Sequence, residues 1–87
     1  MPHRMIIPTE LNGFRVKAWY TKQEWMGNGY LPHGVALITR DPELHHDPYV
    51  VWDCAYNEAS NHTCYRGFYT QNFEEAWEEF TRRCNVT

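Results

Sequence analysis

Residues 72–84, NFEEAWEEFTRRC, are the one segment of this chain with clear helical periodicity. Asn72 stands at an N-cap position, and Glu75 three residues on completes an Asn-x-x-Glu variant of the capping box. Glu74 and Glu75 fall in the first turn and Arg82 and Arg83 in the last, both suited to the helix dipole. Glu78 to Arg82 and Glu79 to Arg83 are i,i+4 pairs in the favoured order. Phe73, Ala76, Trp77, Phe80 and Cys84 share one face of about 100°. A helix roughly 18 Å long is marginal alone, so its aromatic face requires a sheet to cover it.

The preceding residues supply strands. Tyr49–Tyr56 and Thr63–Thr70 are rich in β-formers, and the connection from Asn57 to His62 is polar and turn-like. Val50, Trp52, Cys54 and Tyr56 alternate against Tyr49, Val51, Asp53 and Ala55. Tyr65, Gly67 and Tyr69 alternate against Cys64, Arg66 and Phe68. Neither strand has a clean polar face, although a sheet with one helix layer should leave one side wet. With the helix over Trp52 and its neighbours, Tyr49, Val51, Tyr65 and Tyr69 fall on the far side.

Upstream, residues 1–12 read as irregular, with Met5–Ile7 a short strand or a segment tucked under the helix. Asn12-Gly13 marks a turn. Phe14–Tyr20 alternates best: Phe14, Val16, Ala18 and Tyr20 on one face, Arg15, Lys17 and Trp19 on the other. Thr21–His33 has no period; Gly27-Asn28-Gly29 and Leu31-Pro32-His33-Gly34 read as turn and loop. Val35–Arg40 is a short strand ended by Asp41-Pro42, and residues 43–48 are a polar connection. The expected fold is therefore α+β: an antiparallel meander of three to five strands with one C-terminal helix packed on one face. The chain is short enough for a single domain, residues 1–87.

Composition limits the function. A net charge of −3 with mixed signs argues against DNA wrapping or a membrane-surface role, which need a basic patch. The N-terminal MPHRMIIPTE lacks the apolar run of a signal peptide, and no segment approaches the roughly 18 apolar residues of a membrane span. The expected compartment is the cytoplasm. There, the glycosylation-type triplets at Asn61 and Asn85 are chance matches; three cysteines leave at least one thiol free, and Cys54 and Cys64 are expected as buried small apolar groups rather than disulfide partners. Cys54 and Cys64 sit opposite one another if the hairpin loop is tight.

No catalytic or cofactor motif stands out, and the expected protein is not an enzyme and carries no cofactor. His45, His46, Asp47, His62 and Cys64 are metal-ligand types, but their spacing preorganises no tetrahedral site. Nothing places a cysteine where a helix N-terminus lowers its pKa. Gly27-x-Gly29 lacks the lysine and the strand–turn–helix setting of a phosphate loop. A metal- or thiol-dependent enzyme is the weakest of the alternatives.

What remains is more aromatic surface than a small core needs, 16% of the chain. Trp, Tyr and Arg dominate protein-binding hot spots, so the candidate partner contacts are Trp19, Trp25, Tyr30, Tyr49, Tyr65, Arg66 and Tyr69. Trp25→Ala is expected to weaken binding more than it lowers stability. The acidic helix face of Glu74, Glu75, Glu78 and Glu79 is an alternative patch for a basic partner. An open aromatic sheet with Arg and Lys also suits single-stranded nucleic acid, a second alternative.

In general character the chain resembles small phage- or mobile-element-encoded proteins that inhibit host enzymes, such as anti-CRISPR proteins. The likeness lies in one small domain, no catalytic motif and a binding-rich surface. It implies a non-catalytic protein that engages a nuclease or another nucleic-acid-handling enzyme, with self-association as the other protein–protein reading.

Overall fold

The computed structural model describes residues 7–25, 30–57 and 61–85; at 23–25, 30–33, 56, 57, 61 and 62 it describes the backbone. Five strands, β1 (Glu10–Leu11), β2 (Phe14–Trp25), β3 (Tyr30–Thr39), β4 (Tyr49–Asn57) and β5 (Asn61–Thr70), precede the helix α1 (Phe73–Asn85). The strands lie in chain order β1-β2-β3-β4-β5, every neighbouring pair antiparallel. This is the α+β meander with one C-terminal helix that the sequence predicts.

Asn12 (φ 53°) and Gly13 (φ 85°) join β1 to β2 between the partners Leu11 and Phe14. Two consecutive positive φ angles make the turn whose twist suits a tight hairpin. The N-terminal stretch is thus less irregular than expected, because Glu10 and Leu11 pair with Arg15 and Phe14. The expected strand at Met5–Ile7 falls largely outside the described residues.

Residues 21–25 and 30–33 are also strand rather than loop, with Trp25 the register partner of Tyr30. The missing period has a physical cause. Among the described residues, β4 pairs with β3 only from His33 onward, so no third strand there imposes an inside and an outside on the end of the β2–β3 ribbon. The turn expected at Gly27–Gly29 lies outside the described residues. The β4–β5 strands extend to the pair Asn57 and Asn61, leaving a shorter connection than expected, and its residues 58–60 are not described.

The central strands are buried on both sides. Val35, Leu37 and Val51 pack with Ala76 and Phe80 of α1, joined by Ala18, Tyr49, Phe68 and Cys84. On the opposite, helix-free face, Ala36, Ile38, Val50, Trp52 and Cys54 pack with Leu11, joined by Phe14, Val16, Trp19 and Cys64. The helix therefore covers the Tyr49–Val51 side, not the Trp52 side. Side chains of β1 and β2 cover the helix-free side.

Two bulges decide which residues reach which face. In β2, Val16 pairs with Ile38 but Ala18 with Leu37, so Lys17 is extra. An inserted residue reverses the alternation: Phe14 and Val16 join Trp19 on the helix-free face, and Ala18 and Tyr20 go to the helix side. In β5, the register shifts opposite Trp52, between the pairs Val51–Phe68 and Asp53–Tyr65, where Arg66 takes φ 53°. Tyr65 and Phe68 consequently share the helix side, and Cys64 and Tyr69 the other. Both strands depart here from the unbroken alternation read in the sequence.

The bulges also curl the sheet. The Arg40 guanidinium lies over the rings of both Phe14, at 5.6 Å, and Tyr69, at 5.4 Å. These rings come from strands with two others between them. Tyr69 Oη accepts from Trp52 Nε1 at 3.4 Å. Leu11, Phe14, Val16 and Trp19 thus pack over the centre of the helix-free face, with Tyr69 half exposed at its rim.

Candidate functional site

The helix begins as its sequence dictates. Asn72 Oδ1 accepts from the backbone N–H of Glu74 (2.8 Å) and Glu75 (3.3 Å). The reciprocal half of the capping box passes through Thr70 instead. Its hydroxyl donates to Glu75 Oε1 at 2.6 Å and accepts from Asn72 N–H at 3.0 Å. This fixes the angle at which α1 leaves β5.

That angle buries only part of the aromatic helix face. Ala76 is 0% exposed and Phe80 6%, whereas Phe73 is 36% exposed and Trp77 45%. Trp77 lies about 100° round the helix from Ala76, at the far edge of the apolar arc. Phe73 occupies the first turn, where the sheet beneath is ending. The sequence reading that the sheet covers this whole face is corrected: one edge is in solvent.

The exposed edge is ordered. Phe73 stacks on Trp77 (centroids 6.2 Å) and Trp77 on Phe80 (5.4 Å). Tyr49 meets Phe73 edge-on at 5.5 Å, and the Lys17 ammonium lies 5.7 Å from the Phe73 centroid. At the other end, Lys22 Nζ donates to the Arg83 carbonyl at 3.1 Å. These two lysines tie α1 alongside β2. Between them on the helix side of β2 is Tyr20, 46% exposed.

Beyond Phe73 the strip opens into a groove of about 510 Å³, walled by Lys17, Pro42, Pro48, Tyr49 and Phe73. Arg40 holds the proline-bearing wall in place: its N–H donates to the Pro48 carbonyl (2.7 Å) and its Nη2 to the Asp47 carbonyl (2.6 Å). Asp41 Oδ1 accepts from Glu43 N–H at 2.9 Å. Apolar rings and prolines with two cations in the lining, Lys17 and Arg40, suit an aromatic or proline-bearing segment with a nearby negative charge.

Beside the strip, Glu74, Glu75 and Glu78 are exposed. Glu79 differs, because it accepts from Arg82 Nε (3.1 Å) and Arg83 Nε (2.6 Å). Arg82 therefore pairs with Glu79 at i,i+3, not with Glu78 as the spacing suggested. The exposed acidic group is Glu74, Glu75 and Glu78, of which Glu75 also accepts from Thr70.

The remaining candidate contacts do not form one surface. Trp19 and Tyr69 lie on the helix-free face, and Tyr49 and Tyr65 on the helix side. Trp19 packs against the buried helix-free cluster and donates from Nε1 to Thr21 Oγ1 at 2.7 Å. Arg66 is bound to Asp53, its Nε 2.6 Å from Oδ2. Trp25 and Tyr30 are partners at the end of the β2–β3 ribbon; their side chains lie outside the described residues. The structure gathers only Tyr49 of the set into the groove. The sequence reading omitted Tyr20, Phe73 and Trp77. The signal for Trp77 was available, since it is the bulkiest residue at an edge of the helical arc.

Among the described residues, no group of three or more His, Cys, Asp or Glu side chains is placed to hold a metal ion. His45 instead meets the Phe14 ring edge-on at 5.4 Å, and His46 is hydrogen-bonded to Gln71 at 2.6 Å. Among those residues no helix is long and apolar enough to cross a membrane. The fold and groove define a two-layer meander with a single aromatic-edged helix. Against known proteins, the chain matches no family model, no curated protein and no solved structure.

Proposed function

We propose that this chain is a non-catalytic binding module that takes a protein partner on the Phe73–Trp77 strip and the groove beside Tyr49. One observation carries the reading. Two stacked aromatic rings stand 36% and 45% exposed on a helix whose Ala76 and Phe80 are buried. Large rings held rigid by neighbours lose little entropy on binding and make effective anchors.

The flanking Glu74, Glu75 and Glu78 favour a partner with a basic surface. Nucleic-acid-handling enzymes have such surfaces, so inhibition of a nuclease or a related enzyme, as the resemblance implies, is part of the proposal. Stacking of single-stranded nucleic acid on the sheet gains less support, because Leu11, Phe14, Val16 and Trp19 pack over the helix-free face and, among the described residues, leave Tyr69 as its large exposed ring.

The test is affinity capture with the tagged chain and its Trp77→Ala and Tyr69→Ala variants, alongside sedimentation of the chain alone. A partner held by the wild type and by Tyr69→Ala, but lost by Trp77→Ala at unchanged Tm, supports the strip. Concentration-dependent dimerisation abolished by Trp77→Ala assigns it to self-association. Equal capture by all three proteins removes the strip from the interface.

A further inference from the structure

Two thiols face one another across the β4–β5 pair. Cys54 and Cys64 are register partners, and their Sγ atoms stand 3.6 Å apart in a thiol–thiol hydrogen bond. Opposed residues of an antiparallel pair have Cα atoms about 4.5–5.5 Å apart, within the roughly 4.4–6.8 Å that a disulfide spans. Closing the sulfurs therefore requires a change of side-chain torsions and no strand movement.

The two sulfurs differ in access. Cys54 is wholly buried in the helix-free cluster, while Cys64 is partly exposed at its border. They differ also in acidity. The hydrogen bond from Cys54 lowers the pKa of Cys64; the same bond, and then burial, raise that of Cys54. An accessible sulfur that ionises first, beside a buried one that keeps its proton, suits one thiol to attack and the other to resolve. The third cysteine is set apart: Cys84 packs on the helix side of the sheet, and burial raises its pKa.

We propose that Cys54 and Cys64 are a reversible redox pair, oxidised to a cross-strand disulfide by low-molecular-weight disulfides of the glutathione type. The Cys64 thiolate attacks one sulfur of oxidised glutathione, forming a mixed disulfide and releasing one glutathione thiolate. Cys54 then gives up its proton and attacks the Cys64 sulfur, releasing the second. The protein loses two electrons and two protons, and one glutathione disulfide becomes two thiols. This inference does not rest on the partner-binding reading, since the pair lies on the face away from α1.

The test equilibrates the reduced full-length chain over a series of reduced-to-oxidised glutathione ratios, quenches with acid, alkylates under denaturing conditions and reads the peptides by mass spectrometry. Cys54 and Cys64 are expected to become protected together, in a single two-electron transition, while Cys84 alkylates throughout. Cys84→Ser gives the same curve. The proposal is overturned if both thiols still alkylate in fully oxidised buffer, if Cys64 accumulates as the glutathione adduct, or if protection requires Cys84.

Discussion

Arg83, in the last turn of α1, places its Nη1 3.3 Å from Oδ1 of Asp53 in β4, and both side chains are withdrawn from solvent, at 12% and 5% exposed. The same Nη1 donates to the Arg66 carbonyl at 2.8 Å, and Arg83 Nε reaches Glu79 at 2.6 Å. Arg66 closes the group from β5 by binding the other oxygen of Asp53. The bulge at Arg66 presents both its carbonyl and its side chain to this cluster. One charged network thus fastens the end of the helix to two strands.

Breaking one member of a buried charged group leaves its partner uncompensated. Asp53→Ala is expected to cost about 3 kcal/mol, measured by urea unfolding. The double variant Asp53→Leu with Arg83→Met should be appreciably more stable than Asp53→Ala alone, because the withdrawn Arg83 charge is removed together with its partner, while Glu79 keeps its pair with Arg82. A double variant as unstable as the single one contradicts this account.

Burial alone raises the Glu79 pKa, but the hydrogen bonds from Arg82 and Arg83 outweigh it and hold the carboxyl below its ordinary value of 4.5. Because the folded value is depressed, the stabilisation from Glu79 is fully present above about pH 4.5 and is lost as the pH falls through the lower folded value. Tm measured on acidification below pH 4.5 should fall less steeply in Glu79→Gln than in the wild type. Parallel curves contradict the assignment.

A Cβ added at Gly34 would lie 2.2 Å from Cζ2 of Trp19. The indole lies against the backbone there, pinned by its bond to Thr21. Gly34→Ala is expected to cost about 1–3 kcal/mol and to change the near-ultraviolet circular dichroism as the indole shifts. A neutral substitution with an unchanged spectrum means that the indole does not lie there.

Phe80, within the helix's apolar arc, and Trp77, at its edge, should separate cleanly. Phe80→Ala is expected to cost about 3–5 kcal/mol, and Trp77→Ala no more than about 1 kcal/mol, both by denaturant unfolding. Trp77→Ala that costs as much as Phe80→Ala places Trp77 in the core and removes the proposed interface.

The aromatic surplus was visible in the composition, but its location was not. Counting rings on β4 and β5 suggests an open sheet face, and Tyr49, Tyr65 and Tyr69 were expected to share it. The single extra residues at Lys17 and opposite Trp52 reverse the alternation; no feature of FRVKAWY announces the first, and an isolated glycine, Gly67, is the one local signal of the second. Leu11, Phe14, Val16 and Trp19 then cover the face the helix leaves. Among the described residues the exposed rings are Phe73 and Trp77 on the helix, Tyr20 beside it, and Tyr65 and Tyr69 on β5, one on each face of the sheet.

What the sequence alone determined are the local elements. The Asn72 cap, the 3.6-residue period after it, the Asn12-Gly13 turn and the β-rich runs act over a few residues and require no distant partner. They suffice for a meander followed by one helix. Only the tertiary structure decided which sheet face the helix covers, which rings remain in water and that Cys54 meets Cys64. Those outcomes depend on register, and a one-residue bulge changes register without altering the local pattern from which it would be read.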